Sequence, residues 1–392
     1  MISVEEALAR LFALGAPLST ESIALRHASG RYMAAPATAQ RDQPPFPASA
    51  MDGYAVTGDP APGAQFAVIG EAGAGHAFVG QIGAGQALRI FTGAPVPHGA
   101  TRVVIQEDVT REGDHITINA GADLATNIRA MGQDFAKGDV IAPRRLAPHD
   151  LALLAAMNLP QVTVARRPIV AIIPTGDELV MPGEVPAPDQ IIASNSFAIA
   201  ALAEAAGAEL RMLPIARDTV PALTTVLGLA AGADVVVTIG GASVGDHDLV
   251  ARVAGDLGFA PAFWKIAMRP GKPLMAGRFG SGLMLGLPGN PVSAIVCAHL
   301  FLLPLLRFLQ GGGAVPPVAR RARLGADVAQ NGPRAHYMRA VLSDDLSTIT
   351  PFDRQDSSLL SILTRANALL IRPVKDPARG LGEAVDYLPL SG

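Results

Sequence analysis

Residues 283–294 read LMLGLPGNPVSA: an apolar segment ends at Pro288-Gly289-Asn290-Pro291, and a second apolar segment follows at once. The first segment predicts a buried strand and the second a buried helix. Strand, tight turn and helix in this order are typical of an α/β sheet, where loops at the carboxyl ends of the strands lead into helix N-termini and bind ligands. Gly289 would let a ligand approach the backbone; the alternative is that glycine and proline only make the turn tight.

The same pattern recurs along residues 168–314. Short apolar runs end in Gly, Pro, Ser or Asp in PIVAIIPTGDEL (168–179), LRMLPIARD (210–218) and ADVVVTIGGASVG (233–245). Helical patterns lie between the runs, one after Asn195 and one after Asp246, both of which are residues that favour helix N-caps. Apolar strands that alternate with helices predict a doubly wound α/β domain, whose parallel strands are covered on both faces.

The other regions differ in composition, so the expected fold class is a multidomain protein of α/β and β type. With 392 residues, 41 of them glycine and 32 proline, the chain is long enough for several cores and rich in turns. Residues 42–138 carry short β-type runs between turns, which predict an inserted β-rich domain, either a small barrel or a sandwich. The expected domains are an N-terminal helix with a small split α+β domain (1–41 and 139–167), the inserted domain (42–138), the α/β domain (168–314) and a C-terminal β-barrel-like domain (315–392).

The first residues predict a helix and no targeting segment. Glu5 and Glu6 stand where a signal peptide carries Lys or Arg. Ser3 followed by Glu6 fits a capping box, and Gly15 is placed to end the helix in a left-handed turn.

Composition argues against several classes of function. The net charge of −3 offers no general attraction to nucleic acid or acidic lipid, so no nucleic acid partner is expected. The single cysteine, Cys297, lies in an apolar run, which fits a reducing, cytoplasmic location, and the sequence has no Cys/His metal spacing. His299, Pro304 and Arg307 interrupt the apolar segment 292–309, so a buried core helix is expected there and no membrane span.

Carboxylates gather at the predicted strand ends. Asp177 and Glu178 follow one strand, Asp218 follows the next, and Asp246 and Asp248 follow the turn GGASVG (240–245). Together they could hold a hard cation such as Mg²⁺ through oxygen ligands. Taken singly, each acid is a candidate helix N-cap or a solvated loop charge. The glycine turn offers N–H donors but lacks both the G-x-G-x-x-G spacing and a Walker Gly-Lys-Ser/Thr sequence.

Three cations lie close together in FWKIAMRPGKP (263–273). Lys265, Arg269 and Lys272 fall within eight residues among apolar and rigid neighbours, which suits a clamp for phosphate or another oxyanion. The alternative is a solvated loop whose basic side chains lay their apolar stems over Trp264 and Met268.

Seven blocks of sequence occur together and in order along the chain. They are PFPASAMDGYAV (45–56), FTGAPVPHGA (91–100), IRAMGQDFAKGDV (128–140), IPTGDEL (173–179), GGASVGDHD (240–248), FWKIAMRPGKP (263–273) and GLPGNPVSA (286–294). With these blocks the chain resembles the molybdopterin molybdenumtransferase family, which includes the E domain of gephyrin. The resemblance covers essentially the whole chain, and SAMDGYA and LPGNPVS are its most specific parts.

This resemblance implies an elongated homodimer with four domains in each subunit. It implies an enzyme that takes adenylylated molybdopterin, uses molybdate and a divalent cation, Mg²⁺, cleaves the adenylyl group and releases AMP and molybdenum cofactor. The family's cleft lies between the α/β domain of one subunit and the inserted domain of its partner. Molybdopterin adenylyltransferase and molybdenum apo-enzymes are the transient partners that it implies.

The expected site combines positions that match the family's functional residues with the two turns described above. We expect catalytic roles for Asp52, Thr92, Asp134, Lys265, Arg269 and Lys272, metal binding by Glu178, Asp218 and Asp248, and substrate binding by Gly240, Gly241, Ser243, Gly245, Pro288, Gly289, Asn290, Pro291, Arg339 and Ser357. Asp52 would orient a nucleophile or bind the cation; the alternative is that it only caps the Asp-Gly turn.

Two departures from the family pattern affect this site. Arg269 stands where members commonly have Lys. The positive charge is kept, but the compact ammonium of Lys is replaced by a planar guanidinium with paired hydrogen-bond donors, the fork. Arg339 and Ser357 match positions that the family associates with oxyanion binding. Asp356 places a negative charge beside Ser357, where Gly-Ser-Gly is usual, and this weakens the oxyanion assignment of Ser357.

Two other functions stay open at this point. Molybdopterin adenylyltransferase resembles the α/β domain and its loops, but the inserted domain with SAMDGYA argues against that step. A non-catalytic scaffold of the gephyrin kind is the second alternative; it would need neither a cation site nor an anion site, and the chain shows no long linker or second enzymatic domain.

Overall fold

A computed structural model of the chain describes residues 1–123, 125–241 and 249–390. The chain divides into two units. The large unit contains Met1–Glu21, Gly30–Tyr32 and the chain from Ala165 onward, and the small unit contains Ser22–Ser29 and Met33–Val164.

Eight α-helices lie in these described ranges, and all but the second belong to the large unit. They are α1 (Val4–Leu14), α2 (Pro148–Ala156), α3 (Asn195–Ala205), α4 (Val220–Leu229), α5 (Leu249–Asp256), α6 (Pro291–Cys297), α7 (Leu303–Leu309) and α8 (Leu360–Leu363). A π-helical turn, Ala298–Leu302, joins α6 to α7 in one continuous helix. This turn precedes Pro304, whose missing N–H removes one bond from the helix.

Helix α1 begins as its sequence predicts and ends differently. The hydroxyl oxygen of Ser3 accepts the backbone N–H of Glu6 at 3.1 Å, which is the expected N-cap bond. Gly15 is extended, with φ −116°, so the predicted left-handed end is wrong. The apolar face from Val4 to Phe12 is buried in the core of the large unit, whereas the sequence had grouped this helix with the small split domain.

The strands between residues 20 and 165 form one sheet and three short pairs. They are β1 (Thr20–Ala24), β2 (Ala37–Thr38), β3 (Ala48–Ser49), β4 (Gly53–Val56), β5 (Gln65–Ala72), β6 (Gln86–Ile90), β7 (Arg102–Ile105), β8 (Val109–Glu112), β9 (His115–Ile118), β10 (Ile128–Arg129), β11 (Val140–Ile141) and β12 (Gln161–Ala165). The sheet has the order β7-β4-β6-β5-β9-β8, and the pairs are β1–β12, β2–β11 and β3–β10.

Both faces of this sheet are covered by apolar side chains. One cluster surrounds Tyr54, Phe66 and Ile116, and the other surrounds Leu88 and Ile90, because neighbouring residues of a strand point to opposite faces. In the described chain the edge strands β7 and β8 do not pair with each other. The region expected to be a barrel or a sandwich is therefore one open sheet. A third cluster joins residues 28–39 to residues 135–164.

The strands of the α/β region and the C-terminal region complete the large unit. They are β13 (Ile169–Pro174), β14 (Leu179–Val180), β15 (Ile191–Ile192), β16 (Glu209–Met212), β17 (Val235–Ile239), β18 (Phe259–Trp264), β19 (Met268–Arg269), β20 (Met275–Phe279), β21 (Gly282–Leu287), β22 (Arg320–Leu324), β23 (Ala335–Leu342), β24 (Thr348–Pro351), β25 (Ala368–Arg372) and β26 (Ala384–Pro389).

The α/β sheet has the order β16-β13-β17-β21-β20-β18 and is doubly wound, as predicted. One face packs against α1, α3, α6 and α7, and the other against α4 and α5. The first four strands in this order are parallel, whereas β20 is antiparallel to both of its neighbours. Only Gly280 and Ser281 link β20 to β21, and two residues are too few for a parallel crossover.

The C-terminal strands close into the barrel that the sequence predicts. Strand β22 pairs with β24 and β26, β23 pairs with β24 and β25, and β25 pairs with β26, which completes a ring of five strands. Strand β19, from the basic segment 263–273, adds to β23 in parallel, so this segment lies against the barrel.

The helix Pro291–Leu309 is the apolar segment that follows the Pro-Gly-Asn-Pro turn. It has 19 residues and a mean hydropathy of 2.1, so its length and composition alone would allow it to cross a membrane, although the sequence had suggested a shorter apolar run. Because 72% of its apolar window is buried inside the fold, it is the core helix that the sequence predicts. Of the residues described, this is the single helix that meets the length and composition test.

Replacing Leu305 with alanine tests the role of this core helix. Leu305 is fully buried, so Leu305→Ala leaves a cavity and should lower the free energy of unfolding by about 2–5 kcal/mol. Leu229→Ala on α4, where the leucine is 53% exposed, is the matched control and should change stability little. Thermal and denaturant unfolding measure both; equal effects of the two substitutions would contradict the assigned core.

Candidate active site

Three strands of the α/β sheet end level with one another, and their loops form the candidate site. Pro174 pairs with Ile239, and Ile239 pairs with Leu287, in parallel register. The first loop residues extend the pairing, since Thr175 N donates to Ile239 O at 2.9 Å and Gly240 N donates to Leu287 O at 3.0 Å. The loops with Glu178, Gly240 and the Pro-Gly-Asn-Pro turn therefore leave the sheet side by side.

A cavity of about 420 Å³ opens above these strand ends. Seven residues expected to bind metal or substrate line it, together with the start of helix α3 and Pro273. The seven are Glu178, Gly240, Gly241, Pro288, Gly289, Asn290 and Pro291. The structure thus brings together the acid and the two turns that the sequence places at separate strand ends.

Two glycines near this cavity differ in whether their surroundings leave room for a side chain. Gly176 has φ +143°, and a Cβ there would clash with the carboxylate of Glu178, so glycine lets this carboxylate fold back over the loop. A Cβ on Gly289 would lie 3.6 Å from the Cα of Gly240, which is ordinary contact. The local packing therefore does not require glycine at position 289. What Gly289 contributes is backbone without a side chain on the wall of the cavity.

The Pro-Gly-Asn-Pro turn is held from two sides. Asn195 donates from Nδ2 to the carbonyl of Gly289 at 2.6 Å. The sequence expected Asn195 as an N-cap, but the helix begins at Asn195 and Ser194 is the N-cap, so the Asn195 side chain is free to reach the turn. On the other side, Val292 N donates to the carbonyl of Ser357 at 3.1 Å, which uses one of the helix N–H groups that a ligand was expected to meet.

Asp218 lies next to the carboxylates that follow β13. Partial burial raises its pKa, and the negative charges of Asp177 and Glu178 raise it further. Asp177 accepts the backbone N–H of Asp218 at 3.0 Å, which joins the two loops. Within the described residues, no group of three or more His, Cys, Asp or Glu side chains is arranged to hold a metal ion.

Part of the expected site falls outside the described residues. Ser243, Gly245, Asp246 and Asp248 belong to segment 242–248, so the structure does not place the third expected metal ligand or the later part of the glycine turn.

Lys265, Arg269 and Lys272 make no ion pair with the carboxylates of the described chain. Lys265 and Arg269 are exposed, and Lys272 is half-buried next to the cavity residue Pro273. Lys265 adopts φ +70°, a conformation that side chains with a Cβ rarely take and that is concentrated at functional sites. Within the described residues, no ion pair neutralises their positive charges.

Strand order decides how the charges are arranged around the cavity. The acids follow β13 and precede α4, on one side of β17 and β21, while Lys272 precedes β20 on the other side. At about 4.8 Å between neighbouring strands, β13 and β20 are roughly 14 Å apart. The acids and Lys272 therefore lie on opposite sides of the two central strands, β17 and β21.

Arg339 and Ser357, expected at the oxyanion, have different surroundings. Arg339 is 1% exposed, and its guanidinium donates to Gln355 and to the carbonyls of Arg354 and Leu359. It therefore holds the loop that carries Ser357. Hydrogen bonds from Ser358 keep the pKa of Asp356 below its usual range, so a negative charge stays beside Ser357.

Asp52, Thr92 and Asp134 lie in the small unit. Oδ1 of Asp52 accepts both the backbone N–H of Thr92, at 2.7 Å, and its hydroxyl, at 2.8 Å. These bonds, helped by the charge of Arg89, lower the pKa of Asp52. Asp134 is exposed on the loop after β10, whose partner β3 comes just before Asp52. Thr92 is thus placed directly on Asp52, whereas Asp134 is placed only in the same region of the chain.

Sequence reasoning missed two residues of these sites. Asn195 was noted for its helix-capping tendency, and only the fold shows its bond to Gly289. Arg89, in the segment ALRIFTGA, is a lone arginine on a strand, and no local pattern in the sequence connects it with Asp52.

Comparison with protein families finds matches along most of the chain. Residues 2–158 match the MoeA N-terminal region (domain I and II), residues 171–307 a probable molybdopterin binding domain, and residues 321–390 the MoeA C-terminal region (domain IV).

Individual proteins show the same similarity. The chain is 35% identical to a molybdopterin molybdenumtransferase from Nostoc sp. over 95% of this chain and 89% of the relative. It is 34% identical to molybdopterin molybdenumtransferase 2 from Mycobacterium tuberculosis over 90% of each chain. The crystal structure of a molybdopterin biosynthesis MoeA protein from Pyrococcus horikosii superposes with a TM-score of 0.83, at 30% identity and with all of both chains covered.

Replacing Asp218 with asparagine tests the electrostatics of the acidic side. Because the folded state raises the pKa of Asp218, the ionised form opposes folding at pH 7, and this cost vanishes below the ordinary Asp pKa of about 3.9. Asp218→Asn should raise the melting temperature at pH 7, and the gain should shrink toward pH 4. Asp189→Asn, on an exposed loop, is the control. A gain of equal size at both pH values would show that charge is not its cause.

Proposed function

The chain belongs to the molybdopterin molybdenumtransferase family, and on this basis we propose that it inserts molybdenum from molybdate into adenylylated molybdopterin, with Mg²⁺-dependent hydrolysis of the adenylyl group. The products are AMP and molybdenum cofactor. The protein is accordingly a transferase of molybdenum cofactor biosynthesis. The observation that carries the proposal is the cavity at the strand ends, which joins Glu178 to the bare backbone of the Pro288–Pro291 turn.

The cavity supports a molybdopterin substrate by its size and lining. Its volume of about 420 Å³ falls within the range of small-molecule sites, roughly 300–1,000 Å³. Apolar residues such as Ile191 and Ile239 can cover a ring system, and Asn195 and Asn290 add polar groups to the lining of the cavity. Glycine backbone at Gly240 and Gly241 leaves room for a phosphate group to approach the chain.

The unpaired cations suit the charge of the substrates. Molybdate and the phosphoanhydride are both anions, and two like unit charges about 4 Å apart repel by about 4 kcal/mol at an effective dielectric of 20. Lys265, Arg269 and Lys272 can offset this repulsion, because the fold gives them no carboxylate partner in the described chain. The fork of Arg269 can donate two parallel hydrogen bonds to one oxyanion.

The acidic side supports a cation with few protein ligands. Mg²⁺ is commonly held by one or two carboxylates, with water and substrate phosphate oxygens in its other positions. Glu178 and Asp218 would hold it here, and the raised pKa of Asp218 marks crowded negative charge that a cation relieves. When bound, Mg²⁺ supplies positive charge to the phosphate oxygens as a phosphoryl bond breaks.

Asp52 is suited to act as a carboxylate. The two bonds from Thr92 occupy Oδ1, and no hydrogen bond within the described chain occupies Oδ2. The lowered pKa keeps Asp52 ionised at neutral pH. Its free oxygen can orient the attacking oxygen of molybdate or water, or bind the cation; both uses need the charged form. The protein otherwise contributes positioning and charge stabilisation.

A homodimer and four domains per subunit belong to the same proposal. Asp52 and Glu178 lie in different units, and the proposal takes from the family resemblance that the inserted domain of one subunit lies against the α/β domain of its partner. The limits of the family matches, 2–158, 171–307 and 321–390, support domain borders near those expected. A cytoplasmic location and transient contact with molybdopterin adenylyltransferase and molybdenum apo-enzymes complete it.

Release of AMP from adenylylated molybdopterin tests the reaction. With Mg²⁺ present, molybdate should stimulate AMP release, and Asp52→Ala should lower its rate by about 10²-fold or more. Chelation of Mg²⁺ should have a comparable effect. Asp114→Ala, which removes an exposed acid of the small unit, is the matched control. If the protein instead forms pyrophosphate from ATP and molybdopterin, it is an adenylyltransferase, and if neither product forms, the scaffold alternative is favoured.

Mixing two inactive variants tests the shared site. Asp52→Ala and Lys272→Met alter different units of the chain, so a mixed dimer would hold one intact site if the site spans two subunits. After subunit exchange, activity should recover to about a quarter of that of the native protein, because half of the dimers are mixed and each has one intact site of two. Light scattering gives the oligomeric state; a monomer, or a mixture without recovery, would contradict the proposal.

A further inference from the structure

The surroundings of Asp52 are built at the ends of three neighbouring strands. Gly53, the first residue of β4, pairs with Ile90 of β6 on one side and with Ile105 of β7 on the other. Asp52 therefore lies beside the residues that follow β6 and β7. Thr92 donates two hydrogen bonds to Oδ1 of Asp52, and the backbone N–H of Gln106 donates to the carbonyl of Asp52 at 3.0 Å.

Arg89 connects two of these strand ends. It lies on β6, directly opposite Tyr54, and its guanidinium is 5.0 Å from the Tyr54 ring centroid and 4.9 Å from that of Phe91. Nη1 donates to the carbonyl of Gly53 at 3.2 Å, and Nη2 donates to the side-chain oxygen of Gln106. A planar guanidinium can stack on rings and donate to two acceptors at once, whereas an ammonium cannot hold that geometry.

The positive charge of Arg89 has no ion-pair partner in the described part of the chain. Both groups to which it donates are neutral, so these hydrogen bonds do not neutralise it. Its charge contributes to the lowered pKa of Asp52, and Glu71 of β5 is its paired position on the other side. Arg89 is half-buried and is fixed by these contacts next to the peptide that follows Asp52.

We propose that Arg89 is a positioning residue for Asp52. By tying Gly53 to Gln106, it fixes the backbone on the carboxyl side of Asp52, so that Oδ1 stays on Thr92 and Oδ2 stays available to the reacting groups. The inference rests on the proposed function, because it requires Asp52 to act in the reaction. Arg89 acts through Asp52 and contacts no substrate.

A double-mutant cycle tests this inference. Single-turnover AMP release is measured for the native protein, Arg89→Met, Asp52→Ala and the double variant. Arg89→Met keeps an apolar stem but loses the charge and both donors, so its rate constant should fall by up to about 10²-fold while the KM for adenylylated molybdopterin changes little. Since Arg89 acts through Asp52, the double variant should be no slower than Asp52→Ala alone.

Controls separate positioning from folding. Arg111→Met, on edge strand β8 of the same sheet, should keep the native rate. Melting temperatures are measured for all variants, and if Arg89→Met is strongly destabilised, Arg89→Lys, which keeps the charge but not the fork, replaces it in the cycle. A native rate for the Arg89 variant, or a double variant slowed by the full product of both losses, would overturn the inference alone. An unchanged rate for Asp52→Ala would overturn the role of Asp52 and, with it, this inference, whereas absence of AMP release by the native protein would overturn the proposed function itself.

Discussion

The parallel register of β13, β17 and β21 is the constraint on which the site of the large unit depends. Pro174, Ile239 and Leu287 lie level, and the first loop N–H groups continue the pairing beyond the strands. The backbones of the loops are then so close that a Cβ on Gly240 would lie 2.6 Å from the carbonyl oxygen of Thr175. Buried helices on both faces of the sheet prevent any strand from sliding, because a shift would move apolar side chains out of the core.

This register also explains why opposite charges can coexist around one cavity. The acids Glu178 and Asp218 follow strands on one side of the cavity, and Lys272 lies on the other side, roughly 14 Å away by strand spacing. At that separation the charges neither form an ion pair nor cancel within the fold. Both sides therefore stay available to ligand groups of opposite charge, which a pre-formed salt bridge would prevent.

Asp52 depends on a different but related arrangement in the small unit. Three neighbouring strands of the six-stranded sheet meet around it: Asp52 precedes β4, the region of β6 contributes Thr92 to its carboxylate and Arg89 to the next peptide, and Gln106 after β7 contributes to its carbonyl. All of these partners lie far from Asp52 in the sequence. Their convergence leaves one carboxylate oxygen bonded and the other free, which is the state that a reacting or cation-binding acid needs.

Much of the fold class follows from the sequence, because apolar periodicity and turn residues act locally. The strands around Val170, Val235 and Leu283, the core helix after Pro291 and the C-terminal β-type runs were all predicted for that reason. The motif blocks likewise pointed to the family and to Glu178 and Asp52.

Tertiary structure alone decided the antiparallel β20, the extended end of α1 and the packing of that helix on the large unit. It also decided that Asn195 donates a hydrogen bond to Gly289, that the guanidinium of Arg339 donates to the loop carrying Ser357, and that Arg89 lies beside Asp52. These contacts join residues distant in the chain, and no local pattern carries them, because they arise only when strands that are remote in sequence end at the same edge of a sheet.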